Sequence, residues 1–343
     1  MTNAFRANNR TNHLGLELVK VTEMAALEAS RWFGRGNADA AYQAATEEMF
    51  RSLEKLAIEN MVVLTPENSS YSNTNRKIGV AGSTEKDLII LPLESMEALA
   101  KGMPNAISVA ALAGKNSLFS TNPVQNIERL AVGAAAKGVI NLNASLATNL
   151  NKVAEKLGKE ISALNVAILN KQFNRTTIET VRSLGAKVIL FDEGEIKLGL
   201  LVGLRGYGID MLAGIASSTG TLISACALKA MGGEMLARLA PQNPVEYTHA
   251  IDANIDLERI LDLDTLVQGQ ELYFAATGIT DSVLLAGVKY RGSGAFTHSL
   301  MLSSGTDVNL KHIKTEHNWN RLWQLVSNNP VTVVEDPSGF VIG

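Results

Sequence analysis

Histidine and cysteine are the side chains that most often act as acid-base groups, nucleophiles or zinc ligands, and this chain has few of them. Its single cysteine, Cys226, excludes an intramolecular disulfide and a cysteine-rich metal cluster, and we expect it to be a small core residue in a reducing compartment. No two histidines stand four residues apart, as they would on one face of a zinc-binding helix, so the sequence does not predict a zinc site. The histidines are His13, His249, His298, His312 and His317.

Glycine-rich segments that could hold phosphate are also incomplete. The segment from Gly133 to Gly138 has neither the glycine spacing nor the Lys-Ser/Thr pair of a Walker phosphate loop. Gly203, Gly206 and Gly208 precede a predicted strand, whereas a dinucleotide-binding glycine run follows one. No Gly-x-Ser-x-Gly turn is present to expose a nucleophilic serine. Generic motifs therefore assign no chemistry to this chain.

Apolar spacing predicts the elements of the N-terminal half. Near-helical spacing from Leu14 to about Phe50, interrupted by Gly34 and Gly36, predicts two helices separated by a glycine break. A polar segment rich in Ser, Asn and Thr predicts a loop at 67–77. Strands are predicted at 61–64, 87–91, 107–112 and 117–120.

From residue 146 onward, predicted helices and strands alternate, which favours parallel strand pairing. Helices are predicted at 146–157, 176–184, after Glu195 and at 222–231, and strands at 166–169, 187–191 and 211–215. We place a boundary near Ile161. This gives an N-terminal αβ domain of residues 1–160 and a C-terminal α/β domain of residues 161–343 that share an extensive interface.

Composition and charge exclude several classes of protein. With 343 residues, 46% hydrophobic and 19% charged, the chain can form a compact globular protein. A net charge of −3 does not favour a nucleic-acid partner. No signal-peptide core and no run of about 18 apolar residues is present, so we expect no membrane association. We expect a cytoplasmic protein, with the plastid stroma as the alternative for a eukaryotic source.

Three groups of short segments occur in a fixed order along the chain. They are Val21-Thr-Glu-Met-Ala-Ala-Leu27 followed by Trp32-Phe-Gly-Arg-Gly36, then Ala136-Lys-Gly-Val-Ile-Asn-Leu-Asn143, and Ala276-Thr-Gly-Ile-Thr280. In type and order they resemble class II fructose-1,6-bisphosphatases, including the cyanobacterial type that also cleaves sedoheptulose-1,7-bisphosphate. The resemblance extends from about Leu14 to Ile313. It implies an α/β sugar-phosphatase fold, a layered αβαβα sandwich of the inositol monophosphatase type, in enzymes that use Mg²⁺ or Mn²⁺ and form dimers or tetramers.

The resemblance also indicates which positions bind metal in that family, and three of them have changed. Tyr42 stands where the family has an Asp, and Leu91 stands at the Asp of an Asp-Pro-apolar-Glu-Gly-Thr element. Gly220 stands at the Glu of a Gly-Gly-Ala-Pro-Glu-Gly turn. Because Mg²⁺ and Mn²⁺ need several oxygen ligands acting together, these changes predict the loss of the metal site.

Substrate contacts have changed as well. Met96 replaces the threonine of the Asp-Pro element, Phe173 replaces the phosphate-binding arginine of a Lys-Pro-Arg-His segment, and Asn126 replaces a substrate-contacting tyrosine. We expect Leu91, Met96 and Phe173 to fill the vacated pocket with apolar side chains.

Four charged residues remain at positions that the family uses. Glu94 is retained from the Asp-Pro element and Lys171 from the Lys-Pro-Arg-His segment, while Glu193 and Glu195 replace the acids of an Asp-Gly-Asp. Glu67 falls one position out of register with a further family glutamate. We interpret Glu94 as a surface or pocket-edge glutamate, Lys171 as a solvated lysine, and Glu193 and Glu195 as loop residues before a helix.

These changes predict a catalytically inactive homologue that needs no cofactor. It would act as a structural, interaction or regulatory subunit that assembles with itself or with another protein, such as an active paralogue. One alternative is an active Mg²⁺- or Mn²⁺-dependent sugar bisphosphatase with a metal site rearranged through Glu67, Glu193 and Glu195. Another is a metal-free sugar-phosphate sensor that uses Lys171 and backbone donors.

The C-terminal extension contains an amphipathic stripe with helical spacing, followed by Pro330 and a β-rich end at 331–334. We expect the stripe to pack on this protein's own surface or, as the alternative, to bind a partner chain through its tryptophans. Its members are Trp319, Leu322, Trp323 and Val326.

Overall fold

A computed structural model describes residues 2–56, 59–64, 76–78, 85–292, 294–304 and 309–318. Glu67, most of the predicted polar loop, the C-terminal stripe from Trp319 to Val326 and the β-rich end lie outside these residues. The helices are α1 (Thr2–Ser30), α2 (Ala38–Leu53), α3 (Met96–Ala100), α4 (Leu146–Leu157), α5 (Arg175–Ser183), α6 (Glu195–Gly203), α7 (Ser218–Ala230), α8 (Pro244–Asp252) and α9 (Leu263–Leu266). None of the described helices is both long enough and apolar enough to cross a membrane.

The described strands form two sheets. The strands are β1 (Glu59–Leu64), β2 (Arg76–Ile78), β3 (Glu85–Glu94), β4 (Ile107–Gly114), β5 (Asn126–Val132), β6 (Asn165–Leu169), β7 (Lys187–Phe191), β8 (Met211–Ser217), β9 (Glu234–Leu239), β10 (Leu261–Asp262), β11 (Leu272–Gly278), β12 (Lys289–Arg291), β13 (Gly294–Ser304) and β14 (Asn309–Asn318). The first sheet has the order β12-β13-β11-β4-β3-β1-β2, with β14 paired to β13. The second has the order β10-β9-β5-β8-β6-β7.

The first sheet is apolar on both faces, because alternate residues of its central strands point to opposite sides. On β3, Leu88 and Ile90 pack with α1 and α2, whereas Ile89 faces the interior between the sheets. On β4, Ala110 and Leu112 face α1 and α2, and Val109 and Ala111 face the interior. The sheet is therefore covered by helices on each side.

Helices α6 and α7 lie between the two sheets. Ile196, Leu198 and Leu200 of α6 belong to a buried cluster that also contains residues of β4, β5 and β8. Nearly every residue of α7 is buried, Cys226 among them, which confirms that the cysteine is a core residue. A helix that is buried on all sides suits a central layer.

The outer face of the second sheet packs on α4 and α5. Leu150 and Val153 of α4 and Ile178 and Val181 of α5 share a cluster with Val166 and other strand residues. The order of layers is thus helices, sheet, helices, sheet, helices. This confirms the predicted αβαβα sandwich.

Most predicted elements coincide with observed ones, but the strand predicted at 117–120 is wrong. Leu118 forms only an isolated bridge to Val267. The carboxylate of Asp87 accepts hydrogen bonds from the backbone N–H groups of Asn116, Ser117 and Leu118, at 2.9, 2.7 and 3.0 Å. These donors are therefore not available to a neighbouring strand.

Parallel pairing holds for only part of the second half of the chain. Strand β6 pairs parallel with β7 and with β8, whereas β5 pairs antiparallel with β8 and β9. Strands β11 to β14 join the first sheet. The domain boundary near Ile161 stays a prediction, and strands from either side of it pair within both sheets.

Candidate functional site

The candidate site lies where the C-terminal ends of β6, β7 and β8 meet the C-terminal end of β3. Parallel strands of open α/β sheets present ligand-binding residues at this edge. Glu94 ends β3, and the backbone N–H of Ile196 on α6 donates a hydrogen bond of 2.8 Å to its Oε1. The two sheets are joined at this point by a charged side chain and a helix N-terminus.

Glu94 is buried, with 5% of its surface exposed, so its interpretation as a surface or pocket-edge glutamate is wrong. The pKa of its carboxyl is raised to about 7, mainly by burial. Hydrogen bonds from backbone N–H groups lower this pKa, and the nearby charge of Glu195 raises it. Its Oε2 is buried and has no hydrogen-bond partner. A carboxyl of this kind can exchange a proton near neutral pH.

Glu195 places its carboxylate at the N-terminus of α7. The backbone N–H of Ser217 donates to Oε2 at 2.9 Å, and the Ser217 hydroxyl donates to Oε1. A Cβ at position 220 would overlap Oε1 of Glu195, so the absence of a side chain at Gly220 makes room for this carboxylate. Glu195 therefore supplies a carboxylate at the position where the family resemblance places a glutamate.

Two buried cations lie near these acids, and no motif in the sequence predicts either of them. Arg129 is 1% exposed and shares a face of β5 with the core residues Ile127 and Ala131. Burial lowers the pKa of its guanidinium, and the charges of Glu195 and Glu94 oppose that effect. The available sequence signal is that Arg129 stands two residues from Ile127 and two from Ala131, on the strand face whose other residues are apolar.

Lys197 is the second cation. It is 3% exposed on α6, and its ammonium lies 5.2 Å from the centre of the Phe191 ring. Burial lowers the pKa of this ammonium, and the charge of Glu94 opposes the shift. Its position within the apolar run Ile196 to Val202 was the available sequence signal.

Buried side-chain atoms without hydrogen-bond partners concentrate around these residues. Such atoms are rare in folded proteins and mark places where an ion, water or ligand completes the bonding. Among the described residues they are Oε2 of Glu94, Oγ of Ser95, Oγ of Ser108, Nη1 and Nη2 of Arg129, Oε2 of Glu193 and Oγ1 of Thr221. Ser95 follows β3, Ser108 lies on β4, Glu193 precedes α6 and Thr221 lies in the first turn of α7.

Lys171 lies at the outer side of the same edge, where it is exposed as predicted. It lines a cavity of about 400 Å³ together with Arg175 and Arg182. Phe173 is 38% exposed, so the expectation that it fills a vacated pocket is wrong. The side chain of its neighbour Asn174 is the buried one, and it bonds the backbone of Leu169 and Ile215 across β6 and β8.

The remaining predicted positions are structural in their contacts. Tyr42 is buried on α2 in the cluster that covers the first sheet, and Leu91 and Met96 are partly buried against it. Asn126 begins β5 opposite Ser217 in the strand pairing. Glu193 lies before α6, which confirms its predicted place, whereas Glu195 is the first residue of the helix and not a loop residue before it.

The donor set does not fit a cage of several carboxylates. In the part of the chain that is described, no three groups from His, Cys, Asp and Glu converge as a metal site would require. Two unpartnered carboxylate oxygens, from Glu94 and Glu193, accompany the buried cations Arg129 and Lys197. Mg²⁺ and Mn²⁺ favour sites with several anionic oxygens and no competing cations.

The five-layer αβαβα sandwich, with acidic side chains at the end of β3 and after β7, is consistent with an α/β sandwich of the phosphatase type. The family model described as bacterial fructose-1,6-bisphosphatase, glpX-encoded, matches residues 12–317. The chain belongs to this family.

Curated relatives agree. The chain is 33% identical over 330 residues to the fructose-1,6-bisphosphatase class 2 of Haemophilus influenzae, covering 92% of this chain and 98% of the relative. It is 32% identical to the D-fructose 1,6-bisphosphatase class 2/sedoheptulose 1,7-bisphosphatase of two Synechococcus strains, covering 85% of this chain and 92% of each relative. An extragenic suppressor protein of Pyrococcus furiosus gives a TM-score of 0.31 at 12% identity, over 67% of this chain and 85% of that structure, which is too low to bear on the fold.

The predicted catalytically inactive subunit is wrong. The matching family and relatives are named as bisphosphatases over nearly the whole chain. Gly220 lacks the carboxylate that the family has at this position, but Glu195 places a carboxylate in the same space, which the sequence alone does not show. Self-assembly, a protein partner and contacts through the C-terminal stripe stay predictions.

Proposed function

We propose that this chain hydrolyses a phosphate ester of a sugar bisphosphate, with fructose-1,6-bisphosphate and sedoheptulose-1,7-bisphosphate as candidate substrates. The observation that supports this best is Glu94, a buried carboxyl with one unpartnered oxygen, in a chain that belongs to a bisphosphatase family. A structural glutamate would use both oxygens in hydrogen bonds.

Glu94 is suited to accept a proton from the attacking water. Its Oε1 is held by the N-terminus of α6, which leaves Oε2 for a ligand. Hydrolysis forms a bond from the water oxygen to phosphorus and breaks the bond from phosphorus to the sugar oxygen, which leaves with a proton. A base with a pKa of about 7 is matched to this task at neutral pH.

The second phosphate of the substrate has a candidate site of its own. Lys171, Arg175 and Arg182 line the cavity at the outer side of the edge, and Glu179 pairs with Arg175 at 3.1 Å. Three cations against one acid favour an anionic group. A bisphosphate would therefore be held at one end while Glu94 acts at the other.

The test is phosphate release by the purified full-length chain from each bisphosphate, with fructose-6-phosphate as the monophosphate control. Mg²⁺, Mn²⁺ and a chelator are separate arms, so that any metal requirement is measured directly. We expect release from at least one bisphosphate and little from the monophosphate. No release from either bisphosphate in any arm would overturn the proposal.

A further inference from the structure

Arg129 has an unusual environment for a buried guanidinium. Its Nη1 and Nη2 are both buried and neither has a hydrogen-bond partner. Leaving charged donors unpaired in a protein interior is costly, and buried arginines normally bond to carboxylates or phosphates. Some ligand that accepts several hydrogen bonds is therefore expected at this guanidinium.

The neighbouring acids do not meet this need. Both oxygens of Glu195 accept hydrogen bonds from Ser217, and Oε1 of Glu94 accepts one from Ile196. Oε2 of Glu94 is free of hydrogen bonds, yet it does not bond to Arg129. The cluster is thus not a closed set of ion pairs.

Donors outnumber acceptors among the unpartnered atoms. Arg129 contributes two nitrogens, and the hydroxyls of Ser95, Ser108 and Thr221 add three more potential donors, against one oxygen each from Glu94 and Glu193. The side chain of Lys197, which is buried, adds an ammonium close enough to Glu94 for the two charges to interact. A surplus of unpartnered donor atoms fits a polyoxygen anion, which accepts hydrogen bonds, better than a metal ion, which needs oxygen ligands.

We propose that Arg129 and Lys197 receive the phosphoryl group of the substrate and bind it without a divalent metal ion. This rests on the proposed function, since it assigns the group that the enzyme would transfer to water. The planar guanidinium can bond two phosphate oxygens at once, and the ammonium adds a second charge. Both charges would be positioned before substrate binds, which favours stabilisation of a transferring phosphoryl group.

The experiment measures binding of inorganic phosphate to the full-length chain in a chelator, by calorimetry and by ³¹P NMR. The variants are Lys197→Met and Arg129→Lys, and the matched control is Arg238→Met. Arg238 is an arginine on β9 that forms ion pairs with Glu128 and Glu258, so its loss changes the net charge as Lys197→Met does, while Arg129→Lys keeps the charge. Circular dichroism checks that each variant is folded.

We expect saturable binding by the wild-type chain, weakened at least about tenfold in Lys197→Met and in Arg129→Lys and unchanged in Arg238→Met. If Arg129→Lys does not fold, the wild-type chain and Lys197→Met decide the question. Absence of metal-free binding by the wild-type chain would overturn the inference, as would binding that both site variants retain in full.

The two proposals fail separately. Phosphate release with Mg²⁺ or Mn²⁺ but no metal-free phosphate binding would overturn this inference and leave the proposed function intact. Metal-free binding that depends on Lys197, without release from any bisphosphate, would support the assignment of the anion site and overturn the proposed function.

Discussion

At the residue scale, one carboxylate of the site comes from a different sequence position than the family resemblance indicates. Glu195 on α6 holds its carboxylate against the backbone of Gly220 on α7, where the family resemblance places a glutamate. Two positions that are 25 residues apart in sequence thus share one region of space. A comparison position by position records the loss of a carboxylate at Gly220 and does not show that the carboxylate of Glu195 lies there.

Gly220→Ala should displace the carboxylate of Glu195. The added Cβ overlaps Oε1, and the cost of such overpacking is about 1–3 kcal/mol. We expect lower stability in urea unfolding and a reduced rate of phosphate release. The double variant Gly220→Ala/Glu195→Ala is the control, because it removes the overlapping carboxylate and should recover most of the stability. A single variant as stable as the wild-type chain would contradict this contact.

Glu94→Gln should change the pH dependence of stability. The folded pKa of Glu94, about 7, lies above the value of 4.5 for the unfolded chain. Its contribution to stability is therefore complete below the unfolded pKa and is lost as pH rises through the folded one. Because the amide keeps an oxygen for the N–H of Ile196 and cannot ionise, the variant should gain about 3 kcal/mol relative to wild type at pH 8 and little at pH 4. Urea unfolding at the two pH values measures this, and an equal difference at both would show that ionisation of Glu94 is not the cause.

Residue types alone predicted part of the site. The sequence indicates that Glu94, Glu193 and Glu195 belong to the site, because the family also has acids at these three positions. Burial is not visible in the sequence, so the sequence alone does not show that Glu94 is buried or that Phe173 is exposed. Arg129 and Lys197 belong to no motif, and their burial near Glu94 follows only from the way β5 and α6 pack in the fold.

At the element scale, hydrogen bonds from side chain to backbone decide where strands begin and end. The carboxylate of Asp87 on β3 accepts hydrogen bonds from the three backbone N–H groups of residues 116–118. These residues therefore do not form the strand that their composition predicts. The helices were more predictable. Helix α4 begins after the N-cap Ser145 and ends at Leu157, before Gly158, which adopts the left-handed conformation that favours glycine.

Asp87→Ala should weaken the connection between β4 and β5. Three hydrogen bonds to a buried carboxylate are lost together, so we expect a destabilisation of about 2–4 kcal/mol in urea unfolding. Glu85→Ala is the matched control, because Glu85 lies on the same strand and forms an ion pair with the half-exposed Lys115. The control should cost no more than about 1 kcal/mol. An equal loss of unfolding free energy in the two variants would show that the three hydrogen bonds to Asp87 do not stabilise this connection.

At the scale of the whole molecule, the five layers explain why the site is buried. Helices α6 and α7 lie between the sheets, and their N-termini meet the end of β3 from one sheet and the ends of β6, β7 and β8 from the other. The alternation of helices and strands after residue 146 predicted the parallel part of this arrangement. The return of β11 to β14 to the first sheet was not predicted, since strand order depends on contacts between distant segments.

The most direct measurement of the proposed function is kcat/KM for phosphate release from fructose-1,6-bisphosphate by the wild-type chain, Glu94→Gln and Glu97→Gln. Glu97 lies three residues further along and is exposed on α3, so it undergoes the same chemical change outside the site. We expect activity in the wild-type chain and in Glu97→Gln, and a loss of at least about 100-fold in Glu94→Gln. A wild-type chain that releases no phosphate, or a Glu94→Gln variant as active as wild type, would contradict the proposed role of Glu94 in a sugar bisphosphatase.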